Sequence, residues 1–305
     1  DELLAEGRVE VGEGKRSPLD FALWKGNKPD EDAWWDSPWG RGRPGWHIEC
    51  SAMAMAHLGE EIDVHGGGLD LIFPHHENER AQSEGATGRR FAATWLHNGM
   101  LRFGDEKMSK SLGNVERLAD AIDEWGAETL LLLFARAHYR SPMDYTDDTL
   151  AQARAAGEGL RESLRKLRTA AGDGSGDRAL LDEADRRAAA FDAALDDDLA
   201  TPQALAELFG LSSSATRAIA AQSLSDHAGA AVAETFVSRL DVLGLAGLGA
   251  DDDVPAAIVS LAEERHAARA AHDFVRSDAL REQIAAAGFV VRDVEDGFEL
   301  VPAPR

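Results

Sequence analysis

Apolar positions along this chain follow two different rules. Before residue 140 they come in short runs punctuated by Pro38, Gly40, Pro44, Gly45, Gly66–Gly68, Pro74, Gly99, Gly104 and Gly113. Glu61–His65 and Ala92–His97 read as strands with helical patterns between them, which predicts an α/β unit. Pro74–Gln82, opening on proline, reads as a helix. From about residue 147 the spacing becomes helical, in Ala/Leu/Arg-rich stretches. Thr146–Ala171, Arg178–Leu195, Thr201–Ala221 and Ala228–Leu245 are four predicted helices, with a breaker at Gly172–Gly176. Thr201-Pro202 reads as an N-cap followed by proline at N1. After the Asp251–Asp253 run, Ala256–Ala271 and Asp273–Ala287 predict two more helices, the second ended by Gly288. Phe289–Asp293 and Phe298–Val301 alternate as two strands around Glu295-Asp296-Gly297, a hairpin signal.

Length and composition narrow this picture. At 305 residues the chain exceeds what one core usually serves, so two or three domains are expected. It is 44% apolar and 29% charged, a globular balance. A single cysteine excludes an intramolecular disulfide framework. The longest strongly apolar run, Leu130–Ala135, falls far short of the roughly 18 residues a membrane span needs. The first residues, Asp-Glu-Leu-Leu-Ala-Glu, lack a basic n-region, and the expectation is a soluble, cytoplasmic protein. The net charge is -23, from 55 acids and 32 Lys+Arg. Such a chain should repel nucleic acid, whose phosphates call for basic patches. Its acidity reads either as plain solubility or as adaptation to a salty cytoplasm.

Three constellations carry chemistry. His75 and Glu79 are four apart, so a helix puts both on one face, and Cys50 follows a Gly-Trp-His turn. Cys, His and Glu suit a zinc site with room for a substrate; the alternative is a small buried thiol and a solvated helix pair. Lys107-Met108-Ser109-Lys110-Ser111 places two of the six lysines three apart, as a loop neutralising a polyphosphate would, or as a plain surface loop. His65-Gly66-Gly67-Gly68-Leu69-Asp70 follows the Ile62–Val64 strand and lets backbone approach a ligand at the strand's carboxyl end, or makes a tight turn. It is not the dinucleotide fingerprint, whose third glycine is missing.

Together these segments resemble the cysteinyl-tRNA synthetases. Gly45-Trp46-His47-Ile48-Glu49-Cys50-Ser51-Ala52-Met53, His65–Asp70, Phe73-Pro74-His75-His76-Glu77-Asn78-Glu79 and Lys107–Ser111 occur in that family's order and spacing. The likeness continues through His138–Ser141, Leu195–Pro202 and the Arg269, Arg276, Arg281 region. The resemblance implies a zinc ion held by two cysteines, a histidine and a glutamate, with Cys50, His75 and Glu79 matching three of them. It implies that the substrate L-cysteine binds the metal through its thiolate. Serine is thereby rejected, since a hydroxyl is a weak zinc ligand. Trp46, with His65, is placed in the amino-acid pocket. Lys107 and Lys110 fall to the loop that stabilises the ATP α-phosphate, with Gly66, Gly67, Gly68 and Asp70 along the nucleotide and Mg2+ accompanying ATP. Arg269, Arg276 and Arg281, on or near one helical face, become candidates for tRNA(Cys) contact; the alternative is an ordinary charged surface paired with Glu264, Asp273 and Asp278.

The implied fold is α/β, the second half of a class I Rossmann-type catalytic domain (1–120, with the lysine loop). An all-α tRNA-binding bundle (121–250) and a small α+β anticodon domain (251–305) follow. The family's His-x-Gly-His ATP motif and its further zinc cysteine do not occur in this sequence. The expectation is a chain matching roughly the last two thirds of such an enzyme and not competent for activation alone. Two other readings stand beside the ligase. One is a cysteine ligase acting on an amino sugar, whose relatives lack the C-terminal domain and the second acid at Glu79. The other is a non-catalytic tRNA-binding remnant. Acids exceed bases by 9 up to residue 140 and by 14 after it, so the part assigned to tRNA is the more acidic. That favours a salt-loving source, where molar salt shortens screening to roughly 3 Å.

Overall fold

Ile62, Phe91 and Ala92 are fully shielded from solvent and form the seed of the N-terminal α/β unit, with Ala54 and Trp95 packed against them. The computed structural model describes residues 15–17, 19–29, 31–103, 106–107, 117–249, 255–294 and 297–302. Its chain divides into two compact units, Asp1–Asp105 with Tyr139–Asp144, and Glu106–His138 with Tyr145–Arg305.

In the first unit a short antiparallel ribbon, β1 (Trp24–Gly26) and β2 (Gly42–Pro44), leads into helix α1 (Trp46–Leu58). Strand β3 (Ile62–Gly68), helix α2 (Glu77–Thr87) and strand β4 (Ala92–Asn98) form a βαβ unit. β3 and β4 pair in parallel from Ile62↔Ala92 to Gly68↔Asn98. Val64, His65 and the aromatic Trp95 supply the β-favouring pattern, while α2 ends where Gly88 turns left-handed at φ 69°. One expectation needs correction here. The three glycines are not a turn after the strand; they continue it, opposite Leu96, His97 and Asn98. The helix expected to open on Pro74 does so: Phe73 is extended, at φ -132° and ψ 134°, the backbone is helical from Pro74 on, and the regular α-helical stretch α2 follows from Glu77. Strand β5 (Leu101–Phe103) then pairs in parallel with Met143–Asp144, which the chain reaches only after an excursion through the second unit. A two-residue strand, β6 (Glu106–Lys107), opens that excursion, so Met143–Asp144 is β7.

The second unit opens with α3 (Leu118–Trp125) and α4 (Ala127–Ala135), followed by α5 (Asp147–Arg168), α6 (Asp177–Asp196), α7 (Thr201–Ala220) and α8 (Asp226–Val242). Their buried faces are those the helical period marks: Leu150, Leu160, Leu164 and Leu167 of α5, Phe191 of α6, Leu205, Leu208 and Leu211 of α7, Phe236 and Leu240 of α8. The α5 start is a reciprocal cap between Thr146 and Thr149. Asp177 ties the start of α6 to that of α8 by accepting from the Ser225 amide and hydroxyl. At Gly229 a Cβ would collide with the Leu167 carbonyl, so α8 lies against α5 at a distance only glycine allows. Thr201 is one place inside its helix, with Ala200 as N-cap. The cause is upstream: Asp198 and Leu199 both take left-handed conformations, φ 56° and 54°, and carry the chain past the expected cap.

The unit ends in α9 (Ala256–Ala270), α10 (Phe274–Ala286) and an antiparallel hairpin of β8 (Phe289–Val294) and β9 (Gly297–Pro302). Ile258, Ala262, Ile284 and Val291 make its core. Arg265, 3% exposed, reaches from that core to both carboxylate oxygens of Asp293 at 2.7 and 3.1 Å. The architecture is thus α/β, then helical, then small α+β. No helix among the described residues is long and apolar enough to cross a membrane.

Candidate metal centre and amino-acid pocket

α1, α2 and β3 each deliver one part of the centre. Trp46, His47 and Cys50 lie in the first turns of α1, His75 and His76 just before α2, Glu79 in the first turn of α2 and His65 at the middle of β3. Ligand atoms of Cys50, His75 and Glu79 all fall within 4.8 Å of one another. Glu79 is 1% exposed, and its Oε1 has no hydrogen-bond partner among the described residues. His75 Nε2 sits 3.3 Å from that oxygen. Two ligands at 2.0–2.1 Å from a tetrahedral zinc are themselves about 3.3 Å apart. A buried carboxylate oxygen without a proton donor, an imidazole nitrogen at that separation and a thiol within reach fit a zinc ion. The Cys50 thiol is held above its ordinary range, first by burial and then by Glu79, so its proton leaves readily only when a cation replaces it.

Around these ligands lies a shell of histidines, of which sequence reasoning gave a role to His65 and none to His47, His76 and His97. His75 Nδ1 and His47 Nδ1 are 2.8 Å apart. When His75 Nε2 faces a metal its proton is on Nδ1 and is donated to His47, whose ring must then be neutral. Burial, with His75 nearby, keeps His47 below its ordinary pKa and so in that form. Oε2 of Glu79 lies 2.9 Å from His65 Nε2. His76 Nδ1 meets His97 Nε2 at 2.8 Å, and burial, then His65 and His97, lower the His76 pKa to about 4. The spacing of His47, His76 and His97 carries no periodic signal. His97 meets His76 only because β4 pairs in register with β3, which is a tertiary fact.

Trp46 stacks on His75, ring centroids 4.4 Å apart and planes 28° from parallel, and remains 57% exposed. One face of the indole backs the metal ligand and the rest is available to a small ligand. A Cβ at Gly67 would come within 2.8 Å of His76 Cε1 and 3.0 Å of Nε2, so the glycine makes room for an imidazole. Asp70 is exposed, in the short turn Leu69–Leu71. Lys107 lends its backbone to β6, and Lys110 lies outside the described residues. Arg269, Arg276 and Arg281 do not share one helical face: Arg269 ends α9, while Arg276 and Arg281 are on α10. Arg276 pairs with Glu264 at 3.1 Å and Arg269 with Asp293 at 3.6 Å.

Residues 1–155 match a family model described as the tRNA synthetases class I (C) catalytic domain. The chain belongs to the cysteinyl-tRNA synthetase family. Residues 190–247 match a DALR domain and 251–299 the cysteinyl-tRNA ligase anticodon binding domain. Cysteine–tRNA ligase of Geobacter sulfurreducens is 45% identical over 97% of this chain and 66% of its own length. The cysteine–tRNA ligase of Acidovorax ebreus is 47% identical over 97% of this chain and 63% of its own. The chain thus spans just under two thirds of the length of these relatives. Its fold is also that of the Agrobacterium radiobacter K84 agnB2 LeuRS in complex with tRNA and LeuAMS: TM-score 0.54, 15% identity, 88% of this chain and 38% of that one.

Proposed function

We propose that this chain is the metal-binding and tRNA-binding portion of a cysteine–tRNA ligase. In the enzyme the cysteine carboxylate attacks the α-phosphate of ATP, giving cysteinyl-adenylate and pyrophosphate, and a terminal ribose hydroxyl of tRNA(Cys) then takes the acyl group with release of AMP. The observation that carries this reading is the partly buried Cys50 with the buried His75 and Glu79, beside the half-exposed Trp46. These three residues would hold Zn2+, which when bound supplies a soft position that favours a thiolate over a hydroxyl. His47 fixes the tautomer of His75, and the hydrogen bond between His65 Nε2 and Glu79 Oε2 orients the carboxylate. Trp46 closes one wall of the amino-acid pocket, with His65 behind it.

Lys107 and Lys110, with Gly66, Gly67, Gly68 and Asp70, are assigned to ATP and its Mg2+, the lysines offsetting charge that develops at the α-phosphate. Residues 1–120 make the catalytic part, 121–250 the helical tRNA-binding part and 251–305 the anticodon-reading part. There Arg269, Arg276 and Arg281 have an aromatic neighbour that sequence reasoning passed over. Phe274, in the first turn of α10, is 57% exposed, an unusual place for a large apolar ring. An exposed ring on the helix that also carries Arg276 and Arg281 suits stacking of an unpaired base. The match of 251–299 to an anticodon-binding domain speaks against the amino-sugar ligase.

Cobalt reports on the amino-acid step. The Co2+-loaded chain titrated with L-cysteine is expected to gain thiolate-to-metal charge-transfer absorption, and with L-serine to stay unchanged. A spectrum that ignores cysteine, or responds equally to serine, overturns the reading.

A further inference from the structure

Glu79 has two carboxylate oxygens, and the protein surrounds them alike. On the Oε1 side stands His75, backed by His47; on the Oε2 side stand His65 and His76, the latter backed by His97. Ligand atoms of His65, His76 and Glu79 lie within 4.8 Å of one another, as those of Cys50, His75 and Glu79 do. We propose that His65, His76 and Oε2 of Glu79 form a second divalent-metal site, for a transition ion such as Zn2+ or Co2+, sharing its carboxylate with the Cys50 centre.

The distances suit both a hydrogen bond and an ion. His65 Nε2 and Glu79 Oε2 are 2.9 Å apart, and two ligands at 2.0–2.1 Å from one ion are separated by about 2.9 Å when they subtend a right angle. With one ion bound, Nε2–H of His65 donates to Oε2. A second ion takes that place at Nε2, the proton shifts to Nδ1, and the ring stays neutral. His76 needs no such shift. When its Nδ1–H donates to His97 Nε2, Nε2 keeps its lone pair, the orientation an outer partner gives a metal-bound histidine. Gly67 keeps that ring edge clear of a side chain. Both histidines are at least partly buried and Glu79 wholly so, and among the described residues no lysine or arginine is paired with them to repel a cation.

The donor sets fix the order of filling. The first centre offers a thiolate and the second only two imidazoles and a carboxylate, so zinc and cobalt enter the Cys50 centre first. The second site fills in excess metal and withdraws His65 from its hydrogen bond to Glu79. Resting on the proposed function, this makes excess zinc an inhibitor that competes at the amino-acid pocket.

Metal-stripped 305-residue chain titrated with Co2+, with bound metal counted after equilibrium dialysis, tests the site without reference to activity. Two ions are expected, the first bringing a thiolate-to-cobalt charge-transfer band and the second only ligand-field absorption. Cys50→Ala should lose the band and keep one ion. His76→Gln and His65→Asn should keep the band and hold one ion, with far-ultraviolet circular dichroism confirming that each is folded. Saturation of the unaltered chain at one ion overturns the proposal, as do two ions in both histidine variants. Two ions without a charge-transfer band refute the Cys50 centre and leave the second site standing.

Discussion

His47 touches no candidate metal position, yet the tautomer of His75 depends on it. Nδ1 of each ring faces the other at 2.8 Å, and only one hydrogen fits between them. Replacing His47 with alanine frees His75 to protonate at Nε2, the atom a metal would need. The expected result is zinc affinity weakened about 10- to 100-fold with the fold intact, read by competition with a chromophoric chelator; an unchanged affinity would show that His75 needs no such partner. The residues of the first ring were legible because their spacing is local: His75 and Glu79 are one helical turn apart, and Cys50 is the chain's single thiol. The shell behind them was not legible. His47 reaches His75 across 28 positions and His97 reaches His76 across 21, and neither separation corresponds to a period of any single element.

Among elements, the terminal hairpin is tied to α9 by the Arg265–Asp293 ion pair. The Arg265 guanidinium, hydrogen-bonded to Asp293 and then attracting it through space, holds that carboxyl below the usual range. A carboxyl lowered by folding adds stability that is present above its unfolded value, about 3.9, and is lost as pH falls through the folded value. The protection of the β8 and β9 amides, measured as hydrogen exchange relative to the unfolded-chain rate at the same pH, should therefore fall as pH drops below about 4. Asp293→Asn should show that lowered protection already at neutral pH. Breaking a buried pair costs several kcal/mol, but the Asp293 side chain is 42% exposed and screened by water, so about 2 kcal/mol is expected. Unaltered exchange in the variant would assign the hairpin's stability to Val291 and its neighbours instead. The elements were read well where periodicity decides: the predicted Arg178–Leu195 is observed as Asp177–Asp196, and Ala92–His97 as Ala92–Asn98. They were misread where backbone geometry overrides residue preference, at the left-handed Asp198–Leu199 pair and at the strand-forming glycines.

On the scale of the whole molecule, a net charge of -23 acts against compaction. Salt shortens the reach of that repulsion from about 10 Å at 0.1 M to about 3 Å at 1 M. The melting temperature should rise from low to molar KCl; a flat or falling trend would mean that local ion pairs such as Arg187 with Glu183 and Glu207 outweigh the global field. The division of the chain was legible as a change of period near residue 147, but the return of residues 139–144 to the first unit was not, since a strand as short as Met143–Asp144 leaves no pattern. That return orders events during synthesis. β5 has no β7 to pair with, and the Gly99 amide no Tyr139 carbonyl, until residue 144 has left the ribosome. By then α3 and α4 of the other unit have already been made. The first unit therefore finishes folding only after the second has begun, and no single protease cut between the two can release either one.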